Sequence, residues 1–266
     1  TIRILMFKKF GIILITTCAI TLNVNASSDG ELLLKKNNPT EIKECWEGFN
    51  RASFALNQGL DKVIFKPVAS VYRKLPTPLK SGVENSLSNL SSVVTIPNNI
   101  LQGEFAKAGI NTGRFIINTT VGVLGFIDVA KHVGFSEYEK EDYGQTLATY
   151  GMGPGCYIVL PVLGPSTARD AVSSVTNFVG GDAWYNITVD RDTQHFSDFD
   201  YYSSKVTAGI DFRAKNYDSI ENLEKNSIDF YASVKSLYLQ DRQQKILNTK
   251  KIISTQNDSD WEEIEN

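Results

Sequence analysis

Apolar residues return at helical intervals through most of this chain, and one glycine-dense stretch interrupts them. Together these features restrict it to a mostly α fold. Ile42, Trp46, Phe49, Leu56, Leu60 and Val63 stand three, four or seven residues apart, the spacing of one helical face. Thr40 followed by Glu41 supplies a start for that helix, a hydroxyl cap with an acid facing the helix dipole. Pro67 interrupts or kinks it. Pro76 and Pro78 bracket a turn, after which Leu79, Val83, Leu87 and Leu90 mark a short second helix. A third helix starts near Pro97, a residue suited to a first turn, and carries Leu101, Phe105, Ala108, Thr112, Phe115 and Thr119 on one face. Stripes such as Trp46, Phe49 and Leu56 ordinarily pack a core, although helices lying in a membrane interface carry the same pattern.

Glycine then thickens, at positions 122, 125, 134, 144, 151, 153 and 155. The stretch Gly151-Met152-Gly153-Pro154-Gly155 has the widest backbone freedom in the chain. It leads into Tyr157-Ile158-Val159-Leu160-Pro161, one arm of a hairpin or an extended segment in an otherwise helical protein. Ser166 to Val179 reads as a further helix with a hydroxyl cap, and Gly180 to Phe199 as an aromatic, acidic loop. Ser204 to Ala214 and Ser219 to Ile246 read as helices. The organisation expected is a leader over 1–26, a linker over 27–40, a helical domain over 41–247 and an acidic, frayed tail over 248–266.

The leader has a basic head (Arg3, Lys8, Lys9), an apolar run from Phe10 to Leu22 and the small residue Ala26. That run is shorter than the ~20 residues a spanning helix needs, so it reads as an export signal. Cys18 gives a second reading, as the lipid-bearing cysteine of a lipoprotein signal, although Thr17 precedes it where Gly or Ala is usual. The whole chain carries a net charge of −3; the leader holds three basic residues and no acidic one, so the rest carries −6. Such a balance speaks against a nucleic-acid footprint.

The chemistry-bearing residues are few. Two histidines (His132, His195) and three cysteines without a CxxC pair favour neither a metal centre nor a disulfide framework, and no cofactor is called for. Gly151–Gly155 lacks the spacing of a dinucleotide loop or P-loop. Ser166 lacks the G-x-S-x-G elbow, and helix capping explains it better than nucleophilic attack. Cys156 with His132 makes a poor thiol enzyme in an oxidising compartment, and a Cys45–Cys156 disulfide stays open. More informative are charges set in apolar runs: Arg114, Asp128 and the pair Arg169-Asp170. They read either as buried ion pairs bracing the fold or as the lining of a polar cavity within a membrane-embedded body.

An ordered set of motifs resembles the MlaA (VacJ) family of outer-membrane lipoproteins. It comprises Glu47-Gly48-Phe49-Asn50-Arg51, Lys66-Pro67-Val68, Asn98-Asn99-Ile100-Leu101-Gln102-Gly103 and Gly113-Arg114-Phe115-Ile116-Ile117-Asn118-Thr119-Thr120. It continues through Gly125-Phe126-Ile127-Asp128-Val129-Ala130, Glu141-Asp142-Tyr143-Gly144-Gln145-Thr146-Leu147, Tyr150-Gly151 and Val159-Leu160-Pro161. Gly164-Pro165-Ser166, Arg169-Asp170, Ile210-Asp211-Phe212-Arg213-Ala214 and Tyr238-Leu239-Gln240-Asp241-Arg242 complete it. The resemblance implies a mostly α, ring-like, membrane-associated protein with a glycine-rich hairpin-like loop, seated in the periplasmic leaflet of the outer membrane. It implies removal of mislocalised phospholipids from the outer leaflet through a polar channel, maintaining lipid asymmetry. The partners implied are phospholipid, a trimeric porin and a soluble, MlaC-like periplasmic carrier; no enzyme activity and no cofactor are implied. Gly151, Gly153 and Gly155 match the family's channel-shaping loop, and Arg114, Asp128, Arg169 and Asp170 are candidates for its polar interior. Cys45-Trp46 departs from the usual Pro-Leu. The competing readings are a secreted lipid hydrolase or acyltransferase, and a non-transporting structural or adhesion protein.

Overall fold

The computed structural model describes residues 42–136, 140–178, 185–186 and 197–262, with side chains in the last helix described to residue 247. The expected leader, linker and Cys18 lie outside these residues, as do His195 and most of the expected loop from Gly180 to Phe199. The described chain is mostly helical: α1 (Glu47–Leu60), a π-helical turn (Asp61–Phe65), α2 (Lys66–Tyr72), α3 (Thr77–Leu101), α4 (Phe105–Thr120), α5 (Val129–His132) and α6 (Tyr143–Thr149). A hairpin of β1 (Tyr157–Leu160) and β2 (Gly164–Thr167) follows, then α7 (Ala168–Phe178), α8 (Asp198–Lys215), α9 (Tyr217–Asn226) and α10 (Phe230–Glu262). The strands pair antiparallel with Tyr157 opposite Thr167.

Several boundaries differ from the periodic reading, each for a local reason. Residues 42–46 are not helical, because Lys43 O accepts from Tyr157 N (2.9 Å) and Cys45 N donates to Tyr157 O (3.3 Å), laying this segment along β1. A disulfide joins Cys45 to Cys156, with Cα atoms 5.4 Å apart. Cross-strand pairing thus takes the first turn away from α1. At Pro67 the chain bends without breaking: the π-helical turn, closed by Lys66 N donating to Asp61 O, opens the spiral just before the ring that lacks an N–H.

Pro97 does not start a helix; it lies inside α3. The stop is Gly103, whose positive φ (81°) lets its N–H reach Ile100 O (3.0 Å) while Glu104 N reaches Asn99 O (2.8 Å). That is a Schellman ending, and a glycine suits it far better than a proline does. Ser166 lies in β2, buried, so the hydroxyl that accepts from the first turn of α7 belongs to Thr167, which receives Asp170 N at 3.3 Å. The expected helix over 219–246 is two, divided at Ser227–Asp229, where the Asp229 carboxylate caps α10 by accepting from Ala232 N (3.1 Å). The α10 backbone stays helical to Glu262, into the stretch where charge predicts a frayed tail.

The apolar core sits under the hairpin. Tyr157 and Val159 of β1 meet Tyr231 and Leu239 of α10, with Ile42, Phe54 and Tyr238 packed around them. Phe54 and Tyr231 pack edge to face at 5.3 Å between ring centroids. Asn50 pins this core to α1: its amide donates to Tyr157 O (3.2 Å) and accepts from Val159 N (2.9 Å). Asn57 does the same at the hairpin tip, donating to Leu160 O (3.0 Å) and accepting from Val162 N (2.6 Å).

Candidate functional site

Elsewhere the polarity is reversed. Along α4 the buried positions are Ala108, Asn111, Arg114 and Asn118, three or four residues apart, while Phe105 and Ile116 stand 70% and 54% exposed. Along α3 the buried face is Gly82, Asn89, Ser92, Thr95, Asn98 and Asn99, while Leu79, Ile100 and Leu101 are exposed. The stripe Trp46, Phe49 and Leu56 is likewise exposed rather than packed into a core. Among the described residues, buried polar side chains outnumber buried apolar ones. The reason is mutual satisfaction: a buried amide is tolerated when its donors and acceptors are paired.

That pairing is extensive where α3, α4 and α6 meet. Asn111 Nδ2 donates to Asn99 Oδ1 (2.9 Å), and Thr146 Oγ1 donates to Asn98 Oδ1 (2.6 Å). Gln102 Nε2 reaches Thr146 Oγ1 (3.0 Å) and Glu141 Oε2 (3.2 Å), which also accepts from Gln145 Nε2 (2.6 Å). Lys107 sits beside two buried carboxylates, 3.2 Å from Glu104 and 3.9 Å from Glu141. Burial pushes Glu141 up to about 7, against the pull of Gln102 and Lys107. Sequence reasoning overlooked this seam; its signal is the uncharged polar residues Asn89, Ser92, Thr95 and Asn99, which recur at helical spacing among the apolar ones.

A cavity of about 200 Å³ opens between α3 and the α4–α5 segment, lined among others by Glu84, Asn89, Arg114, Asn118, Asp128 and Lys131. Arg114, buried in α4, donates from Nη2 to Asp128 Oδ2 (2.7 Å) and from Nη1 to Ser136 O (2.7 Å). Asn118 donates to Asp128 Oδ1 (2.9 Å) and accepts from Ala130 N (2.9 Å). Asp128 also caps α5, receiving Lys131 N. Burial alone would raise this carboxyl; the Asn118 amide and the Arg114 guanidinium outweigh it and hold it below the usual carboxylate range. Arg114 and Asp128 are therefore brought together at the cavity wall.

Arg169 and Asp170 are not among the cavity's lining residues. Arg169 Nε donates to Asp170 Oδ1 (2.8 Å), and Arg242 of α10 reaches Asp170 (2.9 Å) and both oxygens of Asp142 (2.6 Å each). Tyr238 OH donates to Asp170 Oδ2 (3.0 Å). This cluster ties α6, α7 and α10 together. It is so tight that a Cβ on Gly144 would lie 2.5 Å from Arg242. Burial disfavours the Asp170 charge, yet Arg169 and Arg242 hold its carboxyl below the usual range. Arg242 is the member that sequence reasoning did not single out.

In the glycine loop, Gly151 (φ 86°) ends α6 by a second Schellman turn, its N–H on Ala148 O and Met152 N on Leu147 O, both 3.0 Å. Gly153 has open space where a Cβ would lie, whereas at Gly155 a Cβ would approach Ala168 Cβ at 2.9 Å. Ser166 is buried, its hydroxyl donating to Thr167 O (3.3 Å), and His132 Nδ1 lies 2.8 Å from Asp128 O.

Along α3 and α4, polar side chains turned inward and apolar ones outward define a helical protein part of which is built inside out. No described helix is long and apolar enough to cross a membrane. Residues 42–245 match the model of the MlaA lipoprotein family, and the chain belongs to that family. It is 32% identical to the intermembrane phospholipid transport system lipoprotein MlaA of Escherichia coli K12, over 83% of this chain and 82% of that protein. It is 35% identical to an uncharacterized protein of Rickettsia prowazekii, over 76% of this chain and 77% of that one. A chain solved in work on the structural basis for maintenance of bacterial outer membrane lipid asymmetry superposes with a TM-score of 0.64 and 31% identity, covering 77% of this chain and 99% of that one.

Proposed function

We propose that this protein is exported to the outer membrane, sits in its periplasmic leaflet and removes mislocalised phospholipids from the outer leaflet. The observation that supports this reading above all is the inverted polarity of α3 and α4. Side chains such as Phe105, Val121, Val123 and Leu124, each more than 60% exposed, would be costly to hydrate but are at ease against acyl chains. The inward amides and charges offer the opposite environment. A phospholipid head carried through hydrocarbon loses its hydration, and a polar passage flanked by lipid removes most of that penalty. In this scheme Arg114 and Asp128 wall the passage, Arg169 and Asp170 brace it, and the loop of Gly151, Gly153 and Gly155 shapes its mouth. The relatives' names, intermembrane phospholipid transport system lipoproteins, support the same function. Cleavage just before Cys18, rather than after Ala26, would leave that cysteine to carry a lipid anchor; a trimeric porin would hold the protein in place, and a soluble periplasmic carrier would receive the lipid.

The test is complementation of a bacterial strain lacking its own family member. The wild-type chain should lower surface-exposed phospholipid to normal. Leu124→Lys together with Val123→Lys should leave folding intact, weaken membrane association about tenfold or more and abolish complementation. Undiminished lipid clearance by this charged variant would overturn the reading.

A further inference from the structure

We propose that the Cys45–Cys156 disulfide is a thiol–disulfide exchange site, opened and closed by a dithiol oxidoreductase, and that it latches the glycine loop; its consequence for transport rests on the translocation reading above. The bond joins positions 111 residues apart. It closes α1 to α6 into one covalent ring, and Cys156 directly follows Gly155 at the end of the loop. Accessibility separates the two cysteines: Cys45 is exposed in the non-helical segment ahead of α1, whereas Cys156 is half-buried. Lys43 and Glu47, two residues to either side of Cys45, are exposed and charged, and Glu47 pairs with Arg51, which also reaches Asp229 (3.4 Å). Such a face meets water, where a thiolate can approach. Trp46, 64% exposed, offers an approaching protein an apolar contact beside the sulfur.

A partner thiolate attacks the Cys45 sulfur, a mixed disulfide forms there, and Cys156 leaves as a thiolate. The partner's second thiolate then attacks the partner sulfur of that mixed disulfide and releases Cys45. The dithiol ends as a disulfide, and its two protons pass to Cys45 and Cys156; the same steps in reverse rebuild the bond. A reversible latch needs a protein that stays folded in both states, and the segment ahead of α1 has other fastenings. Ile42 packs against the hairpin core, and the Glu44 carboxylate accepts from Tyr231 and Lys235 (2.7 Å each). Lys43 and Cys45 keep their backbone bonds to Tyr157. The loop, by contrast, leans beyond Gly151 on the first turn of α7. Arg169 donates from Nη1 to Met152 O (3.3 Å) and from its backbone N to Pro154 O (3.2 Å), and Ala168 N donates to Cys156 O (2.9 Å). The disulfide is the loop's covalent tie to the α1 side, so its reduction loosens the loop first.

The experiment treats the full chain in nanodiscs with dithiothreitol, without denaturant, and follows both thiols by maleimide labelling. Reduction should speed up in proportion to dithiothreitol and outpace global unfolding by about tenfold or more, with circular dichroism unchanged. With glutathione, a monothiol, acid-quenched peptide mapping should find the mixed disulfide on Cys45. Hydrogen exchange over residues 150–157 should run about three- to tenfold faster in the reduced protein, and that of α3 and α4 should not change. Cys45→Ser together with Cys156→Ser should reproduce this pattern and, at equal protein level, clear surface phospholipid about two- to fivefold less than the wild type in the complemented strain. A reduction rate that levels off at the unfolding rate marks a structural staple and overturns the proposal, as does a mixed disulfide on Cys156. Unchanged loop exchange, or equal clearance by the double variant, overturns the latch while leaving translocation standing. Failure of the wild-type chain to clear lipid overturns translocation and the latch's part in it, an outcome the thiol chemistry in nanodiscs does not share.

Discussion

The hairpin region and the α3–α4 region solve the burial problem in opposite ways. Around β1, Tyr157, Val159, Tyr231 and Leu239 are withdrawn from solvent, and polar groups serve to pin the edges. Between α3 and α4 the withdrawn groups are Asn89, Ser92, Asn99 and Asn111, and the large apolar side chains face out. The comparison shows that a helical stripe of apolar residues fixes a face, not a destination. Which face turns inward depends on which one can satisfy itself against a neighbour, and here the amides can.

The sharpest break of that contrast is at the ion cluster linking the hairpin side to α6. Arg242 donates to Asp142 and Asp170 together, and removing it would take the guanidinium from Asp142 and leave the buried Asp170 to Arg169 and Tyr238. Arg242→Met should destabilise the protein by about 3–5 kcal/mol, seen as a fall in thermal midpoint of about 6–20 °C. Arg242→Lys should recover only part of it, since an ammonium cannot reproduce two bidentate contacts.

The polar seam gives the next largest effect, and of a kind no apolar core shows. Asn111→Leu leaves the Asn99 amide oxygen buried without its donor and should cost about 1–3 kcal/mol. Replacing both Asn99 and Asn111 by leucine should cost less than the sum of the single changes, because the two amides vanish together. Denaturant titration of the four proteins closes the cycle. Strict additivity would show that the seam's hydrogen bonds are not what keeps it inward.

Much of this was legible before the fold was known, and the failures are physical rather than random. Helical spacing located most helices, and the run Tyr157–Leu160 did become a strand. The start of α1 was hidden because residues 42–46 serve a β1 edge more than a hundred positions away. Pro97 drew attention from Gly103, the true stop, because a proline's local effect can be absorbed while a Schellman glycine's geometry decides the turn. Charges in apolar runs pointed to Arg114 and Asp128, which do meet. Arg242 was invisible except as part of a motif, since its acids lie 72 and 100 residues earlier. The inward face of α3 was missed because apolar residues, not amides, were counted.

Acidity separates the two regions as well. Glu141, in the polar seam, titrates at about 7 in the folded protein against an ordinary value of 4.5, chiefly because burial disfavours its charge. The folded state therefore binds more protons than the unfolded one between those values, and stability falls as pH rises through them, by about 1–3 kcal/mol. Glu141→Gln keeps the hydrogen-bonding shape without the charge. It should flatten this part of the pH profile and make the variant the more stable protein above pH 7, as read by denaturant unfolding at pH 5 and pH 7.5. A fall of equal size in the variant would place the titrating group elsewhere.

The smallest effects distinguish the glycines of the loop that joins the two regions. Gly151 closes α6 with a left-handed backbone, so Gly151→Ala should cost about 1–2 kcal/mol. Gly153 has neither a positive φ nor a neighbour where a Cβ would lie, so Gly153→Ala should change stability by less than about 0.5 kcal/mol. If Gly153→Ala nonetheless raises surface phospholipid in the complemented strain while Gly151→Ala does so only in proportion to lost protein, the loop's freedom serves transport at Gly153 and folding at Gly151. Equal loss of protein in both would remove that division, and with it the case for treating this stretch as more than a connection between α6 and β1.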